Sequence, residues 1–518
     1  MSEVTANRWD RWIEAIKAFN NPRVIAMLFL GFSAGIPILL IFSSLSLWLG
    51  EAGVGRSTVT FFSWAALGYS FKFVWAPLVD QVPIPILTRL LGRRRSWLLV
   101  AQLLIISAII LMAITDPATG PDALTKLAIA AVFLGFSSAT QDIVIDAYRI
   151  ESADSSLQAL MSSTYIAGYR IGMIVAGAGA LALAQYFGST KTHYVFEAWR
   201  WTYLIMAGVM FLGVITTLVI PEPTAITPIE KKLAGSEHLR FLAVFTIGAG
   251  AFISSFLALS EPGVILKVAL AGWLHTEVFA GFIVETLRFS VAALCFTGVI
   301  YLLVSLDPVS QKLIRRAYLA PVQDFFSRYG KKLAYLLLAL ICLYRISDIV
   351  LGVISNVFYQ DLGFTKLEIA SVVKTFGLIM SIVGGFLGGL LSLRYGVTRI
   401  LYVGAALTVA TNLLFVLLAH AGNDVFVLYF VISADNLTAG LASAAFIAFL
   451  SSLTNVSFTA VQYAIFSSLM TLFPKLLAGY SGTIVNTLGY DGFFLFASAI
   501  GLPVLGLIWW VNKTMGSE

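Results

Sequence analysis

Ionisable side chains occur inside stretches of this sequence that are otherwise apolar. They are Lys72, Asp142, Asp146, Arg170, Arg345, Asp348, Lys374, Asp435 and Lys475. A charge in the hydrocarbon of a bilayer costs several kcal/mol, so it usually faces a partner or a water-filled cavity. Residues of this kind mark ion and substrate pathways, and here they indicate a membrane transporter.

The carboxylates indicate where a proton could bind. Asp142 and Asp146 are four residues apart, so they share one face of a helix. Two carboxylates in a low dielectric repel each other, which favours keeping a proton on one of them. We therefore predict that Asp142 or Asp146 couples transport to the proton gradient. Arg345 and Asp348 are three residues apart, and a structural salt bridge is an equally good interpretation of that pair.

The cations indicate the charge of the cargo. Lys72, Arg170, Arg345 and Lys374 make the apolar segments mainly basic, and Arg offers carboxylates a planar fork. An anionic substrate with several carboxylates is therefore expected. Other side chains could bind sugar or amide groups, although packing between helices explains each of them as well. These are Gln141, Tyr169, Tyr344, Asp435, Asn436 and Gln462.

The amino-acid composition indicates that these residues belong to a membrane protein. The 518-residue chain is 59% hydrophobic and only 12% charged, against about 25% charged in soluble domains. Two cysteines and four scattered histidines predict no metal site. No phosphate-cradling Gly-x4-Gly-Lys-Ser/Thr motif occurs, which argues against ATP-driven transport. No cofactor is expected, and the proton gradient is the predicted energy source.

Apolar runs of about 20 residues predict fourteen membrane-spanning helices. Twelve runs form two sets of six, and two more lie between the sets. The runs are 24–48, 58–76, 96–114, 125–147, 158–184 and 199–220; 239–258 and 279–304; and 331–355, 365–391, 398–419, 425–451, 457–480 and 491–511.

Lys and Arg in the loops predict the orientation. With both termini in the cytoplasm, 21 of these residues lie on the cytoplasmic side and six outside. The net charge of +6 is then a topology signal, and no nucleic-acid partner is expected. The loop residues Arg93, Arg94 and Arg95, with Asp80 before them, are predicted to set topology and gate the cytoplasmic face.

The predicted organisation has four parts. Residues 1–23 form a cytoplasmic amphipathic segment, and 24–222 form an N-terminal six-helix bundle. Residues 223–330 hold two extra spans and a basic amphipathic helix at 312–328, and 331–518 form a C-terminal six-helix bundle. A basic Gly/Arg loop follows the second helix in each half, beginning at Gly92 and Gly389. This arrangement resembles the major facilitator superfamily, an all-α fold of two six-helix bundles.

Eight segments together resemble the AmpG muropeptide permeases of that superfamily. The likeness covers both six-helix sets and is weak over 225–310. The segments are 91–98, 138–147, 168–173, 319–326, 344–348, 374–378, 435–437 and 459–464.

The resemblance implies import of GlcNAc-1,6-anhydro-MurNAc, with or without peptide, from periplasm to cytoplasm. It further implies proton symport, a bacterial inner-membrane location, peptidoglycan recycling and a link to β-lactamase induction. A monomer in membrane lipid is expected. Two alternatives stay open: a related transporter of another anionic cargo such as acetyl-CoA, and, more distantly, an integral-membrane transferase.

Overall fold

The protein is described by a computed structural model that is nearly all helical in the residues it covers. Those residues are 17–54, 67–190, 193–223, 235–274, 277–306, 311–312, 314–365, 368–478 and 481–515. The α-helices are α1 Pro22–Ile41, α2 Ser43–Glu51, α3 Leu67–Phe71, α4 Ala76–Gln81, α5 Leu87–Leu91, α6 Arg93–Ala113, α7 Pro121–Ser152, α8 Ser155–Ile174, α9 Ala180–Tyr186, α10 Phe196–Val209, α11 Phe211–Val219, α12 Gly235–Ala258, α13 Ser260–Leu274, α14 Glu277–Leu306, α15 Ala320–Leu343, α16 Ile346–Asp361, α17 Gly377–Tyr395, α18 Val397–Ala421, α19 Val425–Leu453, α20 Thr459–Ala478, α21 Ser481–Ala499 and α22 Leu502–Met515.

The chain forms two compact units. The larger comprises Met1–Ile226 and Phe326–Glu518, and it contains both predicted six-helix sets. The smaller comprises Thr227–Phe325, in which α14 packs against both α12 and α13. Inside the smaller unit the Arg288 guanidinium lies 4.4 Å from the ring centre of Phe256 and donates to its carbonyl at 2.9 Å.

Twelve helical segments among the described residues are long and apolar enough to cross a membrane. The bent pair Leu242–Ala258 and Ser260–Trp273 would make a thirteenth, with an angle of 46° between its parts. The predicted count of fourteen is therefore not confirmed. The first part of the predicted second run, 58–76, lies outside the described residues, and its described part begins at Leu67. The multi-pass, all-helical prediction is confirmed.

Three of the predicted charged residues lie where a helix is irregular. Lys72 begins a single 3₁₀ turn, Lys72–Val74, between α3 and α4. Arg345 lies at the break between α15 and α16, with φ −99° and ψ 9°. Lys374 lies in the π-helical segment Ile369–Phe376. Irregular backbone at membrane depth is tolerated where it is buried in protein or lines a cavity.

Helices α17 and α19 cross in very close contact. A Cβ on Gly440 would lie 2.0 Å from the Ser381 carbonyl oxygen, and one on Gly384 would lie 2.0 Å from that of Leu437. Only glycine allows this approach of two backbones, as is common where helices associate in membranes. The crossing holds α19 beside the segment that carries Lys374.

Substitution of Gly440 by alanine should destabilise the protein, because the new methyl group has no space. Overpacking of this kind costs about 1–3 kcal/mol, so the thermal unfolding midpoint in detergent should fall. A methyl group added to Gly506, inside α22, would meet nothing within 4 Å. Gly506→Ala is therefore the control, and it should leave the midpoint unchanged or raise it. Equal midpoints for both variants would contradict the crossing.

Candidate substrate and proton pathway

A buried ionic cluster joins α7 to the 3₁₀ turn before α4. Lys72 Nζ lies 3.5 Å from Asp146 Oδ2 and 4.0 Å from Asp142 Oδ2. The other oxygen of Asp146 accepts a hydrogen bond from Arg149 Nη2 at 3.2 Å. Asp142 and Asp146 do share one helical face, and their two charges are balanced by Lys72 and Arg149.

Arg149 is one of the 21 Lys and Arg residues that the sequence analysis places on the cytoplasmic side. In the structure its side chain is 0% exposed. Its Nη1 atom donates to Ser162 Oγ at 3.0 Å and to Ser451 Oγ at 2.6 Å, and its guanidinium lies 5.1 Å from the ring centre of Tyr463. Because Ser451 and Tyr463 belong to the C-terminal half, Arg149 links the two halves.

Two tyrosines of α8 lie near Asp142. The Tyr165 hydroxyl donates to Asp142 Oδ1 at 3.4 Å, and the Tyr165 and Tyr169 rings are 6.1 Å apart. Both tyrosines lie on α8, about one turn apart, and Arg170 follows directly. The arrangement brings hydroxyl groups and ring faces next to a carboxylate, which suits contacts to sugars as well as proton movement.

A second charged cluster faces across the halves. Arg170 of α8 lies within electrostatic range of Arg345 and Asp348 in the other half. Arg345 Nη2 pairs with Asp348 Oδ2 at 2.5 Å, so the predicted local pair is present. Asp435 of α19 lies within range of Asp348 and of Tyr359. Two guanidinium groups and two carboxylates thus converge from α8, α19 and the start of α16.

Gln141 and Asn436 lie apart from these clusters, whereas Tyr344 lies within electrostatic range of Arg345 and Asp348. The Gln141 amide is fully buried and has no hydrogen-bond partner among the described residues; one residue from Asp142, it lies about 100° away around the helix. Tyr344 stacks on Phe446, with ring centres 4.2 Å apart. Asn436 Nδ2 donates to a carbonyl of its own helix at 3.1 Å.

Lys374 and Gln462 also lie outside both clusters. Lys374 is exposed. Gln462 is buried and accepts hydrogen bonds from Arg328 Nη2 at 3.1 Å and from the Asn455 backbone N–H at 2.7 Å. Its carbonyl thereby supports the start of α20.

Arg93, Arg94 and Arg95 lie at one end of the larger unit, which we call the basic end. A buried hydrogen-bond network around Arg94 closes this end. Arg94 Nη2 donates to Asp80 Oδ1 at 2.7 Å and to Glu151 Oε1 at 2.5 Å. The same nitrogen donates to Thr459 Oγ1 at 2.8 Å. Since Thr459 begins α20, the network fastens the N-terminal half to the C-terminal half.

Asp80 adds a direct contact to the start of α20. Its Oδ2 atom accepts from the Val461 backbone N–H at 3.1 Å, where the helix dipole favours a negative charge. Arg93 donates from Nη1 to the Asp80 carbonyl at 2.9 Å. Arg95 instead binds the Thr217 and Leu218 carbonyls at 2.9 and 2.6 Å, within its own half.

The sequence of residues 24–344 matches the profile of the Major Facilitator Superfamily. The chain belongs to the Major Facilitator Superfamily. It is 30% identical over 497 residues to "Putative transporter AmpG 4" of Rickettsia felis, covering 96% of this chain and 98% of the relative. It is 28% identical over 501 residues to the "Anhydromuropeptide permease" of Escherichia coli (strain K12), covering 96% and 82%.

Solved structures agree on the fold. The proton:xylose symporter XylE aligns with a TM-score of 0.56, at 11% identity and 96% coverage of both chains. A bacterial homologue of the iron transporter ferroportin, in an outward-facing state, aligns at 0.54, with 11% identity and coverage of 95% and 98%. The predicted resemblance to AmpG transporters, the superfamily fold and the assignment as a transporter are therefore confirmed.

Sequence reasoning missed several members of the networks of this AmpG-family chain, among them Arg149, Glu151 and Thr459. The spacing of Asp146 and Arg149, three residues apart on one helix, was a usable signal. Nothing in the sequence pairs Glu151 or Thr459 with Arg94, because the contact between Arg94 and Thr459 joins residues 365 positions apart.

Replacing Arg94 by glutamine should loosen the basic end, because Asp80 and Glu151 would lose their shared cation. Breaking a buried pair costs about 3–5 kcal/mol. Ser163, which is fully buried against Gly389 of the other half, reports the opening. With Cys295 and Cys342 replaced by alanine, a Ser163→Cys reporter should react faster with maleimide in the Arg94→Gln variant.

The control for this labelling is Arg89→Gln, which removes an exposed positive charge at the same end. Its reporter should react at the rate seen with wild-type Arg94. Equal labelling rates in the Arg94→Gln and Arg89→Gln variants would rule out a closing role for the Arg94 network.

Proposed function

We propose that this protein is a proton-coupled secondary transporter that imports anhydro-muropeptides by alternating access. The cargo would be GlcNAc-1,6-anhydro-MurNAc with or without peptide, moving from periplasm to cytoplasm. The protein would reside in a bacterial inner membrane as a monomer, supply peptidoglycan recycling and influence β-lactamase induction.

The facing pair Arg170 and Arg345 is the observation that carries the substrate class. Two guanidinium groups from opposite halves lie within electrostatic range of each other, with Asp348 beside them. Like charges held together in this way are stabilised by an anion between them. A muropeptide brings carboxylates for the cations, and its sugar hydroxyls suit Tyr165 and Tyr169. The permease name of the Escherichia coli relative supports the same cargo.

The side on which the halves are closed indicates which state of the proposed import cycle the structure represents. The excess of Lys and Arg at the basic end supports a cytoplasmic location for that end. The Arg94 network closes the halves there, which corresponds to a state that shields the site from the cytoplasm. Import then consists of loading in this state, followed by separation of the basic end.

The cluster of Lys72, Asp142 and Asp146 supports the proposed proton coupling. On α7 these carboxylates precede Glu151 of the closed basic end, and Asp142 contacts Tyr165, which precedes Arg170 on α8. Lys72 bridges both carboxylates, so a proton on either one changes the balance of a buried ionic group.

Removing either cation of the facing pair should impair uptake. Loss of a hydrogen bond to a charged group costs about 1.5–3 kcal/mol, or roughly a ten- to hundredfold drop in uptake at subsaturating substrate. Labelled anhydro-muropeptide uptake into proteoliposomes should fall by this factor in Arg170→Gln and Arg345→Gln. Arg200→Gln, which breaks an exposed 3.0 Å pair with Glu197, should retain wild-type uptake.

Proton coupling predicts a loss of accumulation when a carboxylate is neutralised. With an imposed proton gradient, Asp142→Asn or Asp146→Asn should abolish accumulation against a concentration gradient, while Asp142→Asn should still exchange labelled for unlabelled substrate. If both variants accumulate substrate as the wild type does, the coupling assignment is wrong.

Acetyl-CoA is the alternative anionic cargo, since phosphates would also bind the facing guanidinium groups. Competition of acetyl-CoA against labelled anhydro-muropeptide for binding separates the two cargoes. Specific binding of labelled acetyl-CoA, together with no specific binding of labelled anhydro-muropeptide, would favour the alternative. A transferase reaction has no supporting group in either cluster, and the family is one of transporters.

A further inference from the structure

Arg149 occupies an unusual position between a carboxylate and the opposite half of the protein. One of its terminal nitrogens binds Asp146 at 3.2 Å, and the other binds Ser451 at 2.6 Å. The Tyr463 ring covers the guanidinium at 5.1 Å. A single buried side chain thus touches a proposed proton site and the contact surface between the halves.

The charge balance of this cluster depends on Asp146. The groups that face Asp146 are Lys72 from the 3₁₀ turn, Asp142 and Arg149 from its own helix, Tyr165 from α8 and Tyr463 from α20. With both carboxylates ionised, two negative charges balance the two cations. A proton on Asp146 leaves two cations with one carboxylate, Asp142.

Arg149 is the cation that then lacks a carboxylate. Lys72 keeps Asp142 within 4.0 Å, whereas the only ion pair of Arg149 among the described residues is with Asp146. A buried guanidinium without a carboxylate partner is strongly unfavourable. Separation of the halves at Ser451 and Tyr463 would let water reach Arg149 and relieve this cost.

We propose that Arg149 is a positioning residue that links protonation of Asp146 to opening of the basic end. Ionised Asp146 holds Arg149 in place against Ser451 and Tyr463, and the halves stay together. Protonated Asp146 releases Arg149, and the halves separate. The direction agrees with proton-driven import, and the inference rests on the proposed proton coupling at the Asp142 and Asp146 pair.

The test measures opening without any muropeptide, so it can fail independently of the transport assay. Spin labels at Leu90→Cys and Tyr395→Cys, exposed positions of the two halves, report their separation in a Cys295→Ala, Cys342→Ala background. In the wild type, lower pH should favour the longer distance, with the open-to-closed ratio rising at most about tenfold per pH unit for one proton.

The variants distinguish the roles of the two residues. Asp146→Asn should show the longer distance at every pH. Arg149→Gln should lose the pH response, and Arg149→Lys should restore most of it. Lys332→Gln, which removes an exposed charge at the basic end, should behave as the wild type. A wild type without a pH response, or an Arg149→Gln variant that keeps it, would overturn the proposal.

A second variant tests the same contact between Arg149 and the C-terminal half in case Arg149→Gln does not fold. The double variant Ser451→Ala, Tyr463→Leu removes the contacts of Arg149 with the C-terminal half and leaves its bond to Asp146. This variant should favour the longer distance and respond little to pH. A wild-type pH response in the double variant would also contradict the proposed link.

Discussion

The Asp146 carboxylate, shared between Lys72 and Arg149, is the interaction on which the proposed transport cycle depends. One oxygen lies 3.5 Å from Lys72 Nζ and the other 3.2 Å from Arg149 Nη2. In water such pairs contribute little, but in a buried site each charge is costly without its partner. The protonation state of one carboxylate therefore affects two cations, and through Arg149 it affects the contact between the halves.

The second charged cluster also contains two cations and two carboxylates, but its two guanidinium groups come from opposite halves of the protein. Arg170 and Arg345 belong to opposite halves and lie within electrostatic range of each other, and Arg345 pairs with Asp348. In the proposed function, Arg170 and Arg345 attract an anionic substrate. In the proposed function, substrate and protons bind to separate clusters. The two clusters meet at α8, where Tyr165 contacts Asp142 and Arg170 lies just over one turn further on.

The helix packing within each half differs from the contact between the halves, which would allow the halves to move without unfolding. Close glycine crossings such as that at Gly440 make α17 and α19 behave as one body. The contact between the halves combines the packing of Ser163 against Gly389 with a polar network at the basic end, through Arg94, Asp80 and Thr459. A polar contact can exchange its partners for water, so it can open and close, whereas an apolar glycine crossing gains nothing from separation.

The sequence by itself determined the membrane location, the two sets of helices, the family and the buried ionisable residues, because charges inside apolar runs are rare and stand out locally. It also placed Asp142 and Asp146 on one face, which helical periodicity dictates. Only the tertiary structure showed that Arg149 is buried between the halves and that Arg94 binds Glu151 and Thr459. It also showed that Gln462 and Lys374 lie away from the clusters. These facts depend on contacts between distant segments, and no local pattern encodes which helix a side chain will face.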